Sequence, residues 1–342
     1  HSEAHENTCN VQMLIEKENP WASTMHLQME WRIPKRFLDD TQERSNEHDW
    51  LIIDHYLTVR SGSRFVEVET SVDNTCNDHR LRVVLPTGID SDTVFAGGAF
   101  DVIERPWHFP HVTEWNQPEV PTQHVSQFLA VEDEEHGLAM LCPGSNEYEA
   151  RPSEFGGGLD LCLTALRSIG WLSRDGFAWR RNRAGPCFPA PGAQCLGTSW
   201  FRWGVLPYEG TWSEAEDDGL AVHEVAEMLA AQAAIVPGIP KPQLDGSFDD
   251  VEGSARFGTS MQHYRLNGPS PKPLFASLKP CEDGQGAALR LWNPTAEDWV
   301  GELSSDIWEL VVECDLLEKV ISTCDNGLIT VPARCIRTFR LS

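Results

Sequence analysis

Cys162 to Gly197 reads CLTALRSIGWLSRDGFAWRRNRAGPCFPAPGAQCLG, and the reading of this stretch decides the fold. It opens with the alternation of a strand and turns at Ser173-Arg174-Asp175-Gly176. It then passes through Arg180, Arg181 and Arg183 into a Gly/Pro-rich run too irregular for any regular element. Counting Arg174, four arginines fall inside ten residues of a strongly acidic chain. Either they form a solvated basic face or they wall a site for a polar ligand. Trp179 stands beside the cluster. Sugars stack on aromatic faces while their hydroxyls take hydrogen bonds from Arg, Asn and Asp, so Trp179 suits a carbohydrate wall. Most other tryptophans, Trp107, Trp115, Trp171, Trp200, Trp203 and Trp212 among them, are expected to fill β-sandwich cores.

Working outward, short strands dominate. His26 to Trp31 alternates with period two until Pro34. Leu51 to Val59, the turn Ser61-Gly62-Ser63 and Arg64 to Val72 form a hairpin with one wet face. Arg80 to Leu85, Gln127 to Val131, Leu138 to Leu141 and Leu159 to Leu166 continue the pattern. Between them, Phe95 to Phe100 and the Pro/Trp/His-rich run from Arg105 to Pro121 read as a long surface connection. The chain is therefore expected to be all-β, with one helix near residues 213–236. Ser213 followed by Glu216 has capping-box spacing, and Val222, Val225, Ala226, Leu229 and Ala233 share one face. Gly238 to Pro273 has little periodicity and marks a boundary or long excursion. Strands return at Ala287 to Trp292, Trp308 to Val312 and Ile336 to Leu341.

Composition bounds the function. A formal charge of −25 argues against nucleic acid and anionic membranes, and no run of about 18 apolar residues could span a bilayer. The ten cysteines show neither CxxC nor Cys/His clustering, so no metal site is expected within the chain and reduced core thiols are. With no basic and apolar leader at His1, this points to a cytoplasmic protein. No GxSxG, phosphate loop, GxGxxG after a strand or HExxH occurs, so no catalytic residue is assigned. Asp78-His79-Arg80 reads as a turn histidine neutralised by its neighbours rather than as an acid/base dyad.

Several motifs in register carry a resemblance. Val72-Asp73-Asn74, Asp78-His79-Arg80-Leu81-Arg82-Val83 and Pro86-Thr87-Gly88 come first, then Gly137-Leu138-Ala139 and Glu147-Tyr148-Glu149. Leu163-Thr164 through Ser168, Gly170 to Arg174, Arg183 to Pro186 and Pro191 to Gly197 follow. Leu278-Lys279, Glu282-Asp283-Gly284 and Leu289 to Asn293 close the series. Over residues 25 to 342 the chain resembles the C-terminal β-domains of the family 38 glycoside hydrolases, the α-mannosidases, of bacterial type.

The resemblance implies an antiparallel β super-sandwich of the galactose-mutarotase type over residues 25–265 and a smaller β-sandwich over 266–342, after an N-terminal remnant, 1–24, with little order. It also implies partners, namely a catalytic barrel and a helical bundle that precede these domains and carry the zinc and the aspartate nucleophile. The chain is thus expected to be the C-terminal portion of a retaining, zinc-dependent α-mannosidase or a relative such as a mannosylglycerate hydrolase. Alone it would be inactive, acting on an α-mannoside only as one wall of the pocket. In the family an arginine and an aromatic of the β-domain help close the sugar pocket. Their matches are Arg183, with Arg181 as its neighbour, and Phe95, which stands for a tyrosine and lacks its hydroxyl. A non-catalytic carbohydrate-binding or assembly module and an aldose-epimerase-like isomerase stay open as alternatives, as does homo-oligomerisation.

Fifty-two acidic residues against 21 arginines and only 6 lysines fit a surface adapted to high salt, where self-repulsion is screened. The melting temperature is expected to rise between low and molar salt; a flat or falling melting curve series would remove that reading.

Overall fold

The computed structural model describes residues 9–108, 120–174, 185–214, 219–231, 264–305 and 307–342. The chain divides into two units, His1–Ala230 and Ala231–Ser342. The first contains β1 (Cys9–Asn19), β2 (Ala22–Pro34), β3 (Phe37–Leu38), β4 (Glu43–Arg44), β5 (His48–Arg60), β6 (Val66–Asn74), β7 (Arg80–Pro86) and β8 (Thr93–Gly98). It continues with β9 (Asp101–Pro106), β10 (Thr122–His124), β11 (Gln127–Glu132), β12 (His136–Cys142), β13 (Glu147–Pro152), β14 (Leu159–Arg167), β15 (Gly197–Glu209) and α1 (Val222–Ala230). A nine-stranded sheet, β1-β2-β5-β6-β15-β12-β11-β8-β9, lies against a four-stranded sheet, β10-β13-β14-β7, and the named pairings are antiparallel. This is the expected all-β sandwich. The N-terminal residues differ from expectation: β1 pairs with β2 from Cys9↔Trp31 to Asn19↔Ala22, so strand structure begins well before Met25.

Period-two patterning explains how the sheets meet. Leu129 and Val131 of β11 and Met140 and Cys142 of β12 face the four-stranded sheet, where Tyr148, Ala150, Leu159, Leu161 and Leu163 cover them. The alternate residues Phe128, Ala130, Ala139 and Leu141 face the opposite way and are equally buried, under Val222, Val225, Ala226 and Leu229 of α1. Both faces being dry, these strands read as continuous apolar runs rather than alternating ones. Each such Leu or Val contributes roughly 1.5–3 kcal/mol of transfer free energy. On the wet side of the four-stranded sheet, alternation puts Arg80, Arg82, Glu147 and Glu149 outward. Arg82 meets Glu149 at 2.6 Å, and Arg80 and Arg167 reach Glu147 at 3.5 and 3.4 Å.

Two expectations are corrected. Phe95 to Phe100 is a hairpin, β8 with β9, rather than a loose connection. Glycine reads as a loop signal there, yet Gly97 is a packing glycine: a Cβ on it would lie 2.3 Å from the Ser126 carbonyl oxygen. The remainder of that connection, 109–119, lies outside the described residues. The helix begins at Val222, not at Ser213. Glu132 explains why, since its carboxylate accepts the Trp212 backbone N–H and the Tyr208 hydroxyl, each at 2.8 Å. That pins residues 211–214 as a turn with the Trp212 ring in the core. Glu224 then accepts the Ala221 N–H at 2.9 Å, the half of a capping box expected of Glu216.

The second unit holds β16 (Arg265–Asn267), β17 (Leu274–Pro280), β18 (Ala287–Asn293), β19 (Trp299–Ser304), β20 (Val311–Cys314), β21 (Val320–Thr323), β22 (Leu328–Val331) and β23 (Cys335–Leu341). Sheets β16-β19-β22 and β17-β18-β23-β20-β21 share a core of Leu289, Leu291, Trp299, Leu303, Val331, Phe339 and Leu341. Arg265 pairs with Ser304 and so belongs to this sandwich.

One helix residue is a buried histidine. His223 is 1% exposed, edge-on to Trp212 at 5.6 Å, and burial pushes its pKa down to about 4. The folded state therefore holds His223 neutral while the unfolded chain protonates it below about 6.5. Stability from this residue should fall by about 3 kcal/mol as pH drops through that window. Glu132, raised by burial, works with the opposite sign. Denaturant titrations from pH 7 to 4 should give a shallower fall for His223→Leu and a steeper one for Glu132→Gln.

Candidate functional site

The opening stretch leaves β14 at Arg167 and returns as β15 at Gly197, and its two limbs pair with each other. Ile169 N–H donates to the Ala193 carbonyl at 3.0 Å, Ala190 N–H to Gly170 at 2.7 Å and Leu172 N–H to Phe188 at 3.0 Å. These three hydrogen bonds close the base of an excursion whose tip, 175–184, lies outside the described residues. Gly170 leaves room for the Gln194 amide, since a Cβ there would sit 2.8 Å from Gln194 Nε2 and push that side chain aside.

Beneath the base lies a buried polar knot. Gln194 Nε2 donates to Asp78 Oδ1 at 2.7 Å, and Gln194 Oε1 accepts from the Asp78 N–H at 2.9 Å and from Ser168 Oγ at 2.7 Å. Asn74 Nδ2 donates to the Gln194 and Cys195 carbonyls at 3.0 and 3.1 Å. Asp78 Oδ2 takes the Phe37 N–H at 3.2 Å, and Arg44 donates to the Asp78 carbonyl at 2.5 Å and the Pro34 carbonyl at 2.6 Å. Asp78 adopts a φ of 58°, which Asp tolerates and β-branched residues do not. Arg174, at the foot of the excursion, pairs with Asp39 at 2.9 Å. Burial lowers the His79 pKa, with the Arg44 charge adding to that effect. The Asp78 carboxylate is committed to Gln194 and Phe37, so this pair orders a loop rather than moving protons.

Of the residues assigned from sequence, Trp179, Arg181 and Arg183 lie in the tip, outside the described residues. Phe95 lies elsewhere, in β8, half-buried with its ring 6.1 Å from Trp212. Asn74, Ser168 and Gln194 were not singled out by sequence. Their motifs were visible, but Gln194 meets Asp78 across 116 residues of chain.

A second feature is the N-terminal end of the nine-stranded sheet. In-register pairing sets Val11, Met13 and Ile15 of β1 beside Met29, Leu27 and Met25 of β2 on one face. The β1 residues are 57%, 64% and 74% exposed. The face runs into a cleft of about 340 Å³ against β7, lined by Leu27, Met29, Leu57, Val68, Trp203 and His55. His55 Nδ1 is 2.8 Å from Thr70 Oγ1, and burial lowers its pKa.

Residues 5–169 match the family model described as the Glycosyl hydrolases family 38 C-terminal domain. Over those residues the chain is similar to a family 38 C-terminal domain. A curated relative named "Putative mannosylglycerate hydrolase", from Halalkalibacterium halodurans, is 24% identical over 292 residues, covering 85% of this chain and 28% of the relative. Two solved structures from Enterococcus faecalis share the fold at 20% identity over 98% of this chain. One, described as a protein in glycosyl hydrolase family 38, has a TM-score of 0.72 with 37% of its chain covered; the other, described as an alpha-mannosidase, has 0.74 with 35% covered. The chain thus spans about a third of the length of the proteins it matches. Among the described residues, no group of three or more His, Cys, Asp or Glu side chains could hold a metal ion.

Replacing Gln194 with alanine strands the Asp78 N–H and Asp78 Oδ1 together, while Ser168 Oγ keeps the residue 194 carbonyl as an acceptor. Gln194→Ala is expected to lose about 2–3 kcal/mol of unfolding free energy. Limited proteolysis should also then cut between residues 174 and 185 first. Unchanged stability and an unchanged cleavage pattern would show that the knot does not hold the loop.

Proposed function

We propose that this chain is the β-portion of an α-mannosidase-like glycoside hydrolase, retaining and zinc-dependent when complete, supplying one wall of the sugar pocket and packing against the catalytic barrel and helical bundle. The observation that carries the proposal is the exposed apolar face of β1 and β2, continuous with the cleft against β7. A water-facing sheet of a finished enzyme alternates polar outward, whereas Val11, Met13, Ile15, Leu27 and Met29 present the pattern of a covered surface. The family match over residues 5–169 includes those strands.

In this reading the zinc and the nucleophile belong to the barrel. What the chain contributes is placement. The knot around Gln194 fixes the base of the loop whose sequence carries Trp179, Arg181 and Arg183, and a guanidinium fork suits vicinal sugar hydroxyls. The name of the curated relative supports a substrate bearing a carboxylate, which a guanidinium pairs with bidentately. That all ten cysteines are free thiols supports a reducing, cytoplasmic compartment.

The chain alone is expected to show no hydrolysis of an aryl α-mannoside. Supplied with the family's barrel and helical bundle it should form a stable complex that turns the substrate over. Leu27→Asp and Met13→Asp should each weaken that association at least about tenfold. Turnover by the isolated chain, or association indifferent to both charges, would sink the reading.

A further inference from the structure

The sandwich has an open end that the family reading does not use. β12 leaves the nine-stranded sheet after Cys142 and crosses through Pro143–Asn146 to begin β13 at Glu147. The strands beside it run further. β15 has β12 as neighbour only as far as Leu141↔Gly204, so residues 198–203 extend past the last pair with no strand on that side among the described residues. β14 likewise runs past Tyr148↔Leu163, its last pair with β13, to Arg167. Between these two overhanging edges, walled at one end by the crossover, lies a cleft of about 670 Å³. That is within the range of roughly 300–1,000 Å³ typical of small-molecule sites.

Its lining is amphipathic. Trp200, 65% exposed, lies on the cleft, and its ring is near-parallel to Tyr56 (16°, centroids 6.5 Å apart). Tyr56 in turn stacks on His26 at 4.6 Å, and His26 Nε2 is fixed by Asp54 Oδ1 at 2.8 Å, which also accepts from Gln28 at 2.9 Å. Three aromatic rings in a column on a solvent-facing sheet need a reason, and one effect of the column is to hold Trp200 in place. On the opposite wall Glu147 accepts from Thr164 at 2.8 Å and pairs with Arg167 at 3.4 Å. The side chains of Ser145 and Asn146 and the Trp200 indole N–H make no hydrogen bond among the described residues.

We propose that this cleft binds a saccharide, with the apolar face of one sugar ring on Trp200 and its hydroxyls on Glu147, Arg167 and Asn146. A preordered indole loses little entropy on binding, and a carboxylate beside a guanidinium gives vicinal hydroxyls both an acceptor and a donor. An added peptide strand fits less well, because Pro143–Asn146 closes the end through which the strand would continue, leaving only the short overhang of β15.

The test is titration of the purified chain with maltose, cellobiose and α-linked mannobioses, followed by tryptophan fluorescence and calorimetry. Only the choice of mannobioses rests on the family reading, so the glucose disaccharides probe the cleft without it. Saturable binding by at least one disaccharide is expected, weakened at least about tenfold in Trp200→Ala and Arg167→Ala, and unchanged in Trp21→Ala. Trp21 is an exposed indole in the β1–β2 turn, away from the cleft. Circular dichroism establishes that each variant folds, and should Trp200→Ala fail to fold, Arg167→Ala decides. Absence of binding by every disaccharide overturns the proposal. So does binding that both cleft variants leave intact, or capture of an extended peptide in place of sugar. None of these outcomes bears on whether the chain associates with a barrel.

Discussion

The first unit depends on its longest sheet being dry on both faces at the centre. β11 and β12 send Leu129, Val131, Met140 and Cys142 one way and Phe128, Ala130, Ala139 and Leu141 the other, and each set needs a cover. The four-stranded sheet supplies one. The other must come from whatever follows β15, which is why α1 folds back over the sheet with Val222, Val225, Ala226 and Leu229 inward. Tyr208, Trp212 and Glu132 set the angle of that return, because Glu132 collects the Tyr208 hydroxyl and the Trp212 N–H on one oxygen. A carboxylate so placed gives up solvent, and its raised pKa is the mark of that.

The polar knot answers a different demand. In the described part of the Gly/Pro-rich excursion between β14 and β15 the large apolar side chains Leu172, Phe188 and Leu196 are mostly exposed, so hydrophobic burial does little to order its base. Hydrogen bonding can order it, provided every buried group finds a partner. Gln194 meets that condition with one amide: Oε1 serves Asp78 and Ser168 while Nε2 returns to Asp78. The loop base is thereby tied to β6, β14 and the turn before β7.

Most of the strands were legible because period-two alternation is local, and the wet hairpin of β5 and β6 is the clearest instance. What failed locally failed for a tertiary reason. Gly97 looked like a loop residue because sequence does not show the Ser126 carbonyl that excludes a side chain. Ser213 looked like a cap because sequence does not show that Glu132 holds the Trp212 N–H. The site was legible as motifs and illegible as geometry: Asp78, Gly170 and Gln194 each belong to recognisable segments, yet only the fold brings them into one hydrogen-bonded cluster. The resemblance reached further than the patterning did, since several segments in register constrain a fold more than any one of them.

The same asymmetry explains where binding surfaces fall on this unit. Cover is concentrated over β11, β12 and β15, so β1, β2 and β5 reach past the edge strand β7 of the smaller sheet. Their two faces then diverge because alternation forces them to. Met25, Leu27 and Met29 point to one side, with Val11, Met13 and Ile15 beside them; His26, Gln28, Asp54 and Tyr56 point to the other. One strand end thus offers an apolar face suited to another protein surface and, back to back with it, a polar aromatic face. A one-residue slip of β2 would exchange them, placing His26 and Gln28 against β7 and the leucine and methionines beside Trp200. The thirteen-pair register between β2 and β5, from Ala22↔Arg60 to Pro34↔His48, prevents that slip and so keeps the two surfaces chemically separate.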